Sequence, residues 1–239
     1  MSVNFRVAVV VAAAFFLSAG LASAEFVAYT GQPNPPSIPP LQAWGGSLGM
    51  DFTVNSAIDV DSMGVYNAAG NGVITGTLQV AIFVQNPDSS WSEVTGTYAS
   101  FDSASPGAPD LVNDGQYDLY KAITPVLLGP GNYSVVAVGF SSQDPNGNSG
   151  YPGGVGATED ASGLLTYTGS GRFDAGQTDS LIFPTTVDGG PANRYDAGTF
   201  EFSAATPEPA SFILIGTGLA AIAFGEKRRR AAGSKKENQ

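Results

Sequence analysis

Carboxylates are the side chains in this sequence best supplied to act as acids, bases or cation ligands. There are 21 Asp and Glu against 10 Lys and Arg, with no His and no Cys. That composition excludes Ser-His-Asp and Cys-His catalysis, imidazole or thiolate metal sites, and any disulfide framework. Asp144, Asn146 and Asn148 alternate as D-x-N-x-N, the start of a loop whose alternate oxygens converge on calcium. The sixth position is Ser149 where such loops carry Gly, and the twelfth is Val155 where they carry Glu, so an EF-hand is not expected. A polar turn, or a different calcium site completed by Glu159 or Asp160, are the two readings. The pairs Asp59/Asp61 and Asp110/Asp114 pose the same choice between cation ligands and solvated faces.

Two carboxylates suffice for glycoside hydrolysis, so that chemistry survives the absence of His. The glutamates between residues 25 and 206 are Glu25, Glu93, Glu159 and Glu201, and neither Glu25, at the start of that stretch, nor Glu201, in a strand-like alternation, is placed for a cleft. No catalytic residue is assigned. Trp44, Trp91 and the tyrosines Tyr117, Tyr120, Tyr133, Tyr151, Tyr167 and Tyr195 supply rings either for stacking on sugars or for core and cross-strand packing. Asn132-Tyr133-Ser134 fits a glycosylation sequon.

The net charge of −11 is unevenly distributed. Residues 25–206 carry 18 acidic side chains and only Lys121, Arg172 and Arg194 as bases, a net of −15. Such a body does not bind nucleic acid by counterion release and is repelled by anionic lipid. The other bases lie near the ends: Arg6 at the start, and Lys227, Arg228, Arg229, Arg230, Lys235 and Lys236 near the finish.

Residues 1–24 have the order of a secretory signal peptide. Arg6 is followed by an unbroken apolar run from Val7 to Leu17 and by Ala22-Ser23-Ala24, a small-x-small cleavage site. The mature N-terminus is accordingly expected at Glu25. Residues 204–239 contain Pro207-Glu208-Pro209, the uncharged stretch 210–225 and the basic cluster Lys227-Arg228-Arg229-Arg230. Sixteen helical residues reach about 24 Å, a marginal span of a hydrocarbon core of about 30 Å. The basic cluster would stay cytoplasmic, placing residues 25–206 on the far side of the inner membrane.

This order resembles the PEP-CTERM sorting signal of bacterial exported proteins, the substrates of the membrane peptidase exosortase. The resemblance implies that Pro207, Glu208 and Pro209 form the recognition motif, that Ala210 to Phe224 form the helix and that Arg228, Arg229 and Arg230 form the stop. Nine residues follow Arg230, a longer tail than the pattern usually has. The two prolines hold Glu208 in an extended segment and block helix propagation into it, which suits capture by a peptidase.

The body positions whatever lies between these ends, and its pattern is that of strands. Leu48, Met50, Phe52 and Val54 alternate with Gly49, Asp51, Thr53 and Asn55, and Ile58 and Val60 alternate with Asp59 and Asp61. Further runs are 80–84, 91–98, 117–123, 133–140, 164–168, 181–183 and 199–203, separated by turns such as Gly70-Asn71-Gly72 and Gly129-Pro130-Gly131-Asn132. The fold class expected is all-β, an antiparallel β-sandwich of jelly-roll type spanning residues 44–203. Residues 25–43, with five prolines between Gly31 and Pro40, are expected as an extended lead-in, and 144–163 as a long surface loop. The segment from Phe52-Thr53-Val54-Asn55 through Ile58, Val60 and Gly64-Val65-Tyr66 to Asn71-Gly72 resembles a recurrent sandwich ectodomain of unknown function found on PEP-CTERM proteins.

The function expected is that of an exported, non-enzymatic surface or matrix protein, sorted by exosortase and associated with exopolysaccharide. A carbohydrate-binding or adhesive module is the alternative, and a carbohydrate-active hydrolase the third. No cofactor is expected, with calcium at the D-x-N-x-N segment the one alternative left open.

Overall fold

The computed structural model describes residues 24–31, 41–149, 158–159, 162–176 and 180–205. Residues 1–204 and 205–239 form separate units, and Ala205 alone of the second is described. The expected signal segment before Ala24, residues 32–40, Pro207-Glu208-Pro209, the helix 210–225 and the cluster 227–230 lie outside the described residues. Among the described residues every regular element is a strand, and no helix there is long and apolar enough to cross a membrane.

In chain order the strands are β1 (Glu25–Val27), β2 (Tyr29–Thr30), β3 (Leu41–Gln42), β4 (Leu48–Val54), β5 (Ile58–Tyr66), β6 (Thr77–Gln85), β7 (Trp91–Glu93) and β8 (Ala99–Asp102). They continue with β9 (Asp118–Leu128), β10 (Gly131–Val138), β11 (Asn146–Asn148), β12 (Thr158–Glu159), β13 (Leu165–Phe173), β14 (Thr186–Val187), β15 (Tyr195–Asp196) and β16 (Gly198–Ala204). One sheet runs β1-β16-β5-β9, and a larger one runs β14-β13-β4-β10-β6-β7 with β8 also on β6. Two small sheets, β15-β11-β3 and β12-β2, complete the body. The pairs are antiparallel.

The two large sheets share one core because each strand turns alternate residues inward. Leu48, Met50, Phe52 and Val54 of β4 and Ile58 and Val60 of β5 are buried as their alternation requires, with Asp59 and Asp61 half-exposed. Phe52 from the larger sheet meets Phe200 from the smaller at 5.1 Å between ring centroids, and Phe200 in turn meets Phe202 at 5.7 Å. The result is a sandwich-like, antiparallel all-β body. The finer jelly-roll expectation is not established: sheets of four and seven strands replace the two four-stranded sheets of that pattern.

Three local expectations need correction. Leu181, Ile182 and Phe183 form no strand. Their run lies on the outer face of the larger sheet, where Phe183 stacks on Trp91 at 4.3 Å and approaches Phe83 at 5.7 Å. That face carries buried Ala81, Phe83 and Val136, an apolar patch that needs a cover, so the run's hydrophobicity reports burial without pairing. The expected surface loop at 144–163 instead contains β11, buried between β3 and β15. Its polar residues find partners inside the body, which periodicity alone does not reveal. Finally, Glu25–Val27 of the expected lead-in is the edge strand of a main sheet, with Phe26 against Phe202 at 5.6 Å.

Candidate functional site

The junction between body and sorting segment is built by β16. This strand lies between β1 and β5, and its pairing continues to the last residue, Ala204 opposite Ile58. Phe200 and Phe202 project into the core and are fully buried, which anchors the strand. Glu25 stands directly opposite Ser203, with Ala24 exposed before it. The expected signal cleavage point and the start of the sorting segment are therefore at one end of the same sheet.

The weak calcium candidates have other partners. The Asp144 carboxylate accepts from the Thr75 amide at 3.0 Å and the Gly76 amide at 2.6 Å, tying the 140s segment to the turn before β6. Gly139, at φ +102°, turns the chain out of β10 toward that tie; a Cβ there would meet the Thr77 carbonyl oxygen at 2.0 Å. Asn148 donates to Gln42 Oε1 at 2.7 Å and accepts from Arg194 Nε at 2.8 Å, while the Asn146 amide donates to the Gly147 carbonyl at 2.9 Å. Asn146 also donates to Gln42 Oε1, at 3.4 Å, so the two asparagines turn their amide N–H groups to one acceptor while Asp144 binds elsewhere, and Arg194 places a positive charge on the Asn148 oxygen. No group of three or more acidic side chains among the described residues is arranged to hold a metal ion. A chelator is expected to leave the melting midpoint of the body unchanged; a drop on adding EGTA, restored by calcium, would show a structural ion.

Sequence reasoning paired Asp110 with Asp114 but missed what faces them. The turn 110–115 brings Asp114 to Asp118 and Tyr120 of β9, and Asp110 to Glu201 of β16. Tyr120 Oη donates to Asp114 Oδ2 at 2.5 Å, and the Gly31 amide donates to Asp118 Oδ2 at 2.5 Å. Burial, reinforced by the charges of Asp114 and Asp196, holds the Asp118 carboxyl well above the usual carboxylate range. Burial also raises Asp114 despite its hydrogen bonds. Burial, together with Glu25 and Asp110, pushes Glu201 up to about 7 although Ser62 hydrogen-bonds to it. Lys121 donates to the Ser100 carbonyl, Arg172 pairs with Asp51 at 2.7 Å and Arg194 pairs with Asp188 at 2.5 Å, so the three bases of residues 25–206 serve other partners. The raised carboxyls hold their protons to higher pH, which relieves the repulsion.

The aromatic rings are largely committed. Trp91 stacks on Phe183 beneath the Arg172 guanidinium, and Trp44 lies edge-on to Phe173 at 5.7 Å while donating to the Asp174 carbonyl at 3.2 Å. Tyr133 stacks on Phe52, Tyr29 meets Tyr167, and Tyr120 and Tyr195 are buried. A pocket of about 280 Å³ lies where β5 ends and β6 begins, lined among others by Tyr66, Asn71, Ile74, Gln143 and Asp144. Asn67 shapes its rim, accepting from the Asn71 and Gly72 amides and donating to the Val73 carbonyl.

An antiparallel all-β body followed at once by a segment with the Pro-Glu-Pro, apolar, basic order defines an exported protein with a C-terminal sorting segment. A family described as the PEP-CTERM protein-sorting motif matches residues 205–230. The match contains Pro207, Glu208, Pro209 and the cluster Lys227 to Arg230, and it supports an exported protein sorted by exosortase. No curated protein matches the chain.

Proposed function

We propose that this chain is an exported, non-enzymatic protein of the cell surface or extracellular matrix. Its N-terminal signal is removed before Glu25, its C-terminal helix holds it transiently at the inner membrane, and exosortase processes it near Pro207-Glu208-Pro209. Association with exopolysaccharide is part of the same reading. The observation that carries it is the sorting motif at 205–230, whose matched segment starts one residue after the last strand.

Two further features support the reading. Asp110 and Glu201 touch directly, as do Asp114 and Asp118, whereas glycosidase carboxylates stand about 5 Å or more apart to admit a sugar or a water. Both tryptophans already have aromatic partners, which argues against a sugar-stacking platform built on them. Intact-mass measurement of the mature surface form is expected to show the N-terminus at Glu25 and loss of everything beyond about residue 209. Mature surface material that still ends at Gln239 would overturn the sorting reading.

A further inference from the structure

The turn 109–116 lies on the outer face of the smaller sheet. Leu119, Phe200 and Phe202 point into the core, so Asp118 and Tyr120 of β9 and Glu201 of β16 point outward, yet all three are buried. The turn meets them through two side chains, Asp110 at Glu201 and Asp114 at Asp118 and Tyr120. Its own hydrogen bonds close on themselves: Asp114 and Gly115 donate to the Asp110 carbonyl, and Val112 and Asn113 to the Asp110 carboxylate. From residue 109 to 116 no backbone hydrogen bond reaches another described element. Leu111 and Val112, 70% and 91% exposed, give it no apolar anchor. The ends are fixed, Ala108 by its bridge to Tyr120 and the Tyr117 carbonyl by the Asn67 amide. Gly115, at φ +102° with nothing within 4 Å of where a Cβ would stand, leaves the middle room to swing.

The two carboxyl contacts hold only while one member of each keeps a proton. Burial opposes ionisation of Asp110, but donors from Val112 and Asn113 outweigh it, so Asp110 is the carboxylate and Glu201 the acid. Burial makes Asp118 the acid facing Asp114. The other ionisable groups around them are Glu25 of β1, Asp196 of β15, Tyr66 of β5 and Tyr117. No base answers them. Lys121 points to the opposite face of β9, over the Phe101 ring at 4.9 Å, while Arg172 and Arg194 pair with Asp51 and Asp188. In the full chain Ala24 precedes Glu25, so no terminal ammonium stands there. Once Glu201 ionises, lifting the turn both separates two carboxylates and admits water to a charge that the closed form buries.

We propose that residues 109–116 form a pH-operated flap, docked on β9 and β16 in acid and released above neutrality while the two sheets beneath stay folded. The contact between Asp110 and Glu201 is the latch, and it gives way at about pH 7. Release uncovers Asp118, Tyr120 and Glu201.

Amide hydrogen exchange of the full chain in neutral detergent, expressed as protection factors, tests this. Glu201→Gln puts a permanent donor opposite Asp110, and Asp110→Asn puts one opposite Glu201 while keeping an oxygen for the Val112 and Asn113 amides. At pH 5 the Asp114 and Gly115 amides are expected to be equally protected in the wild type and in both variants. At pH 8 they are expected to exchange at least about tenfold faster in the wild type than in either variant, a factor of ten for one unit beyond the latch. Low concentrations of urea are expected to leave this exchange unchanged, as for a local opening. Wild-type exchange at pH 8 that either variant matches overturns the proposal. So does exchange at Asp114 and Gly115 that rises with urea in parallel with the amides of β4 and β10, since only unfolding of the whole body would then expose the turn.

Discussion

Raising the pH from 5 to 8 is expected to destabilise the body, lowering its melting midpoint by roughly 5 °C. The sign follows from which state holds the proton. Glu201, raised from 4.5 to about 7, keeps its proton in the folded state up to about pH 7, whereas in the unfolded state it is ionised across most of that interval, so its contribution is lost on the way to pH 8. Asp114 and Asp118 are raised as well, chiefly by burial. A raised carboxyl contributes stability that is complete below its unfolded value and lost as the pH climbs through its folded value. Each such group costs about 1.4 kcal/mol per pH unit inside its window. Asp110 is shifted the other way: burial opposes this, but donors from Val112 and Asn113 outweigh it, and its contribution is lost only at pH below the ordinary aspartate value. Its window lies outside the interval. General repulsion among the acidic residues acts in the same direction. Glu201→Gln separates the two effects, because it keeps the shape and the overall charge of the remainder; a flatter pH profile is expected for it. A wild-type midpoint that rises with pH would overturn the account of the cluster.

The second large effect is at the contact between the sheets. Phe200→Ala is expected to cost about 3–5 kcal/mol, with a midpoint lowered by about 10 °C or more, because it empties the position between Phe52 and Phe202. Val187, half-exposed on the short edge strand β14, supplies the control: Val187→Ala is expected to change stability by less than about 0.5 kcal/mol. Urea titration monitored by circular dichroism checks both. Equal midpoints for the two variants would mean that the sheets do not meet through Phe200.

Where apolar side chains recur at every second position the sequence was readable, even though Asp51 of β4 and Thr199 and Glu201 of β16, on the opposite faces, are buried too. The alternation of Leu48 to Val54 and of Ile58 to Asp61 predicted β4 and the first half of β5, and the run 199–203 predicted β16. The reading failed where burial and pairing part company. Leu181 to Phe183 is apolar because it covers an apolar sheet face, and Asn146 to Asn148 is a buried strand although its composition is that of a turn. The sorting segment was legible because three chemically different features follow one another within a few residues, and their order survives without any three-dimensional context. The carboxylate cluster was not, since Asp110, Asp114, Asp118 and Glu201 come from a turn and two strands that only the pairing of β5 with both β9 and β16 brings together. A pair of aspartates four residues apart carries no sign of the glutamate ninety residues later that meets Asp110.

Most neighbours in the two main sheets are far apart along the chain: β4 lies between β10 and β13, and β16 between β1 and β5. Such a topology folds slowly, in the range of milliseconds to seconds, because long loops must close before any sheet is complete. Until β16 arrives, β1 and β5 have unpaired edges that invite association with other copies of the chain. The excess of acidic residues has a use during that interval. It makes incomplete chains repel one another while they wait for their last strand, so the same charge that strains the folded cluster guards the body before it is folded.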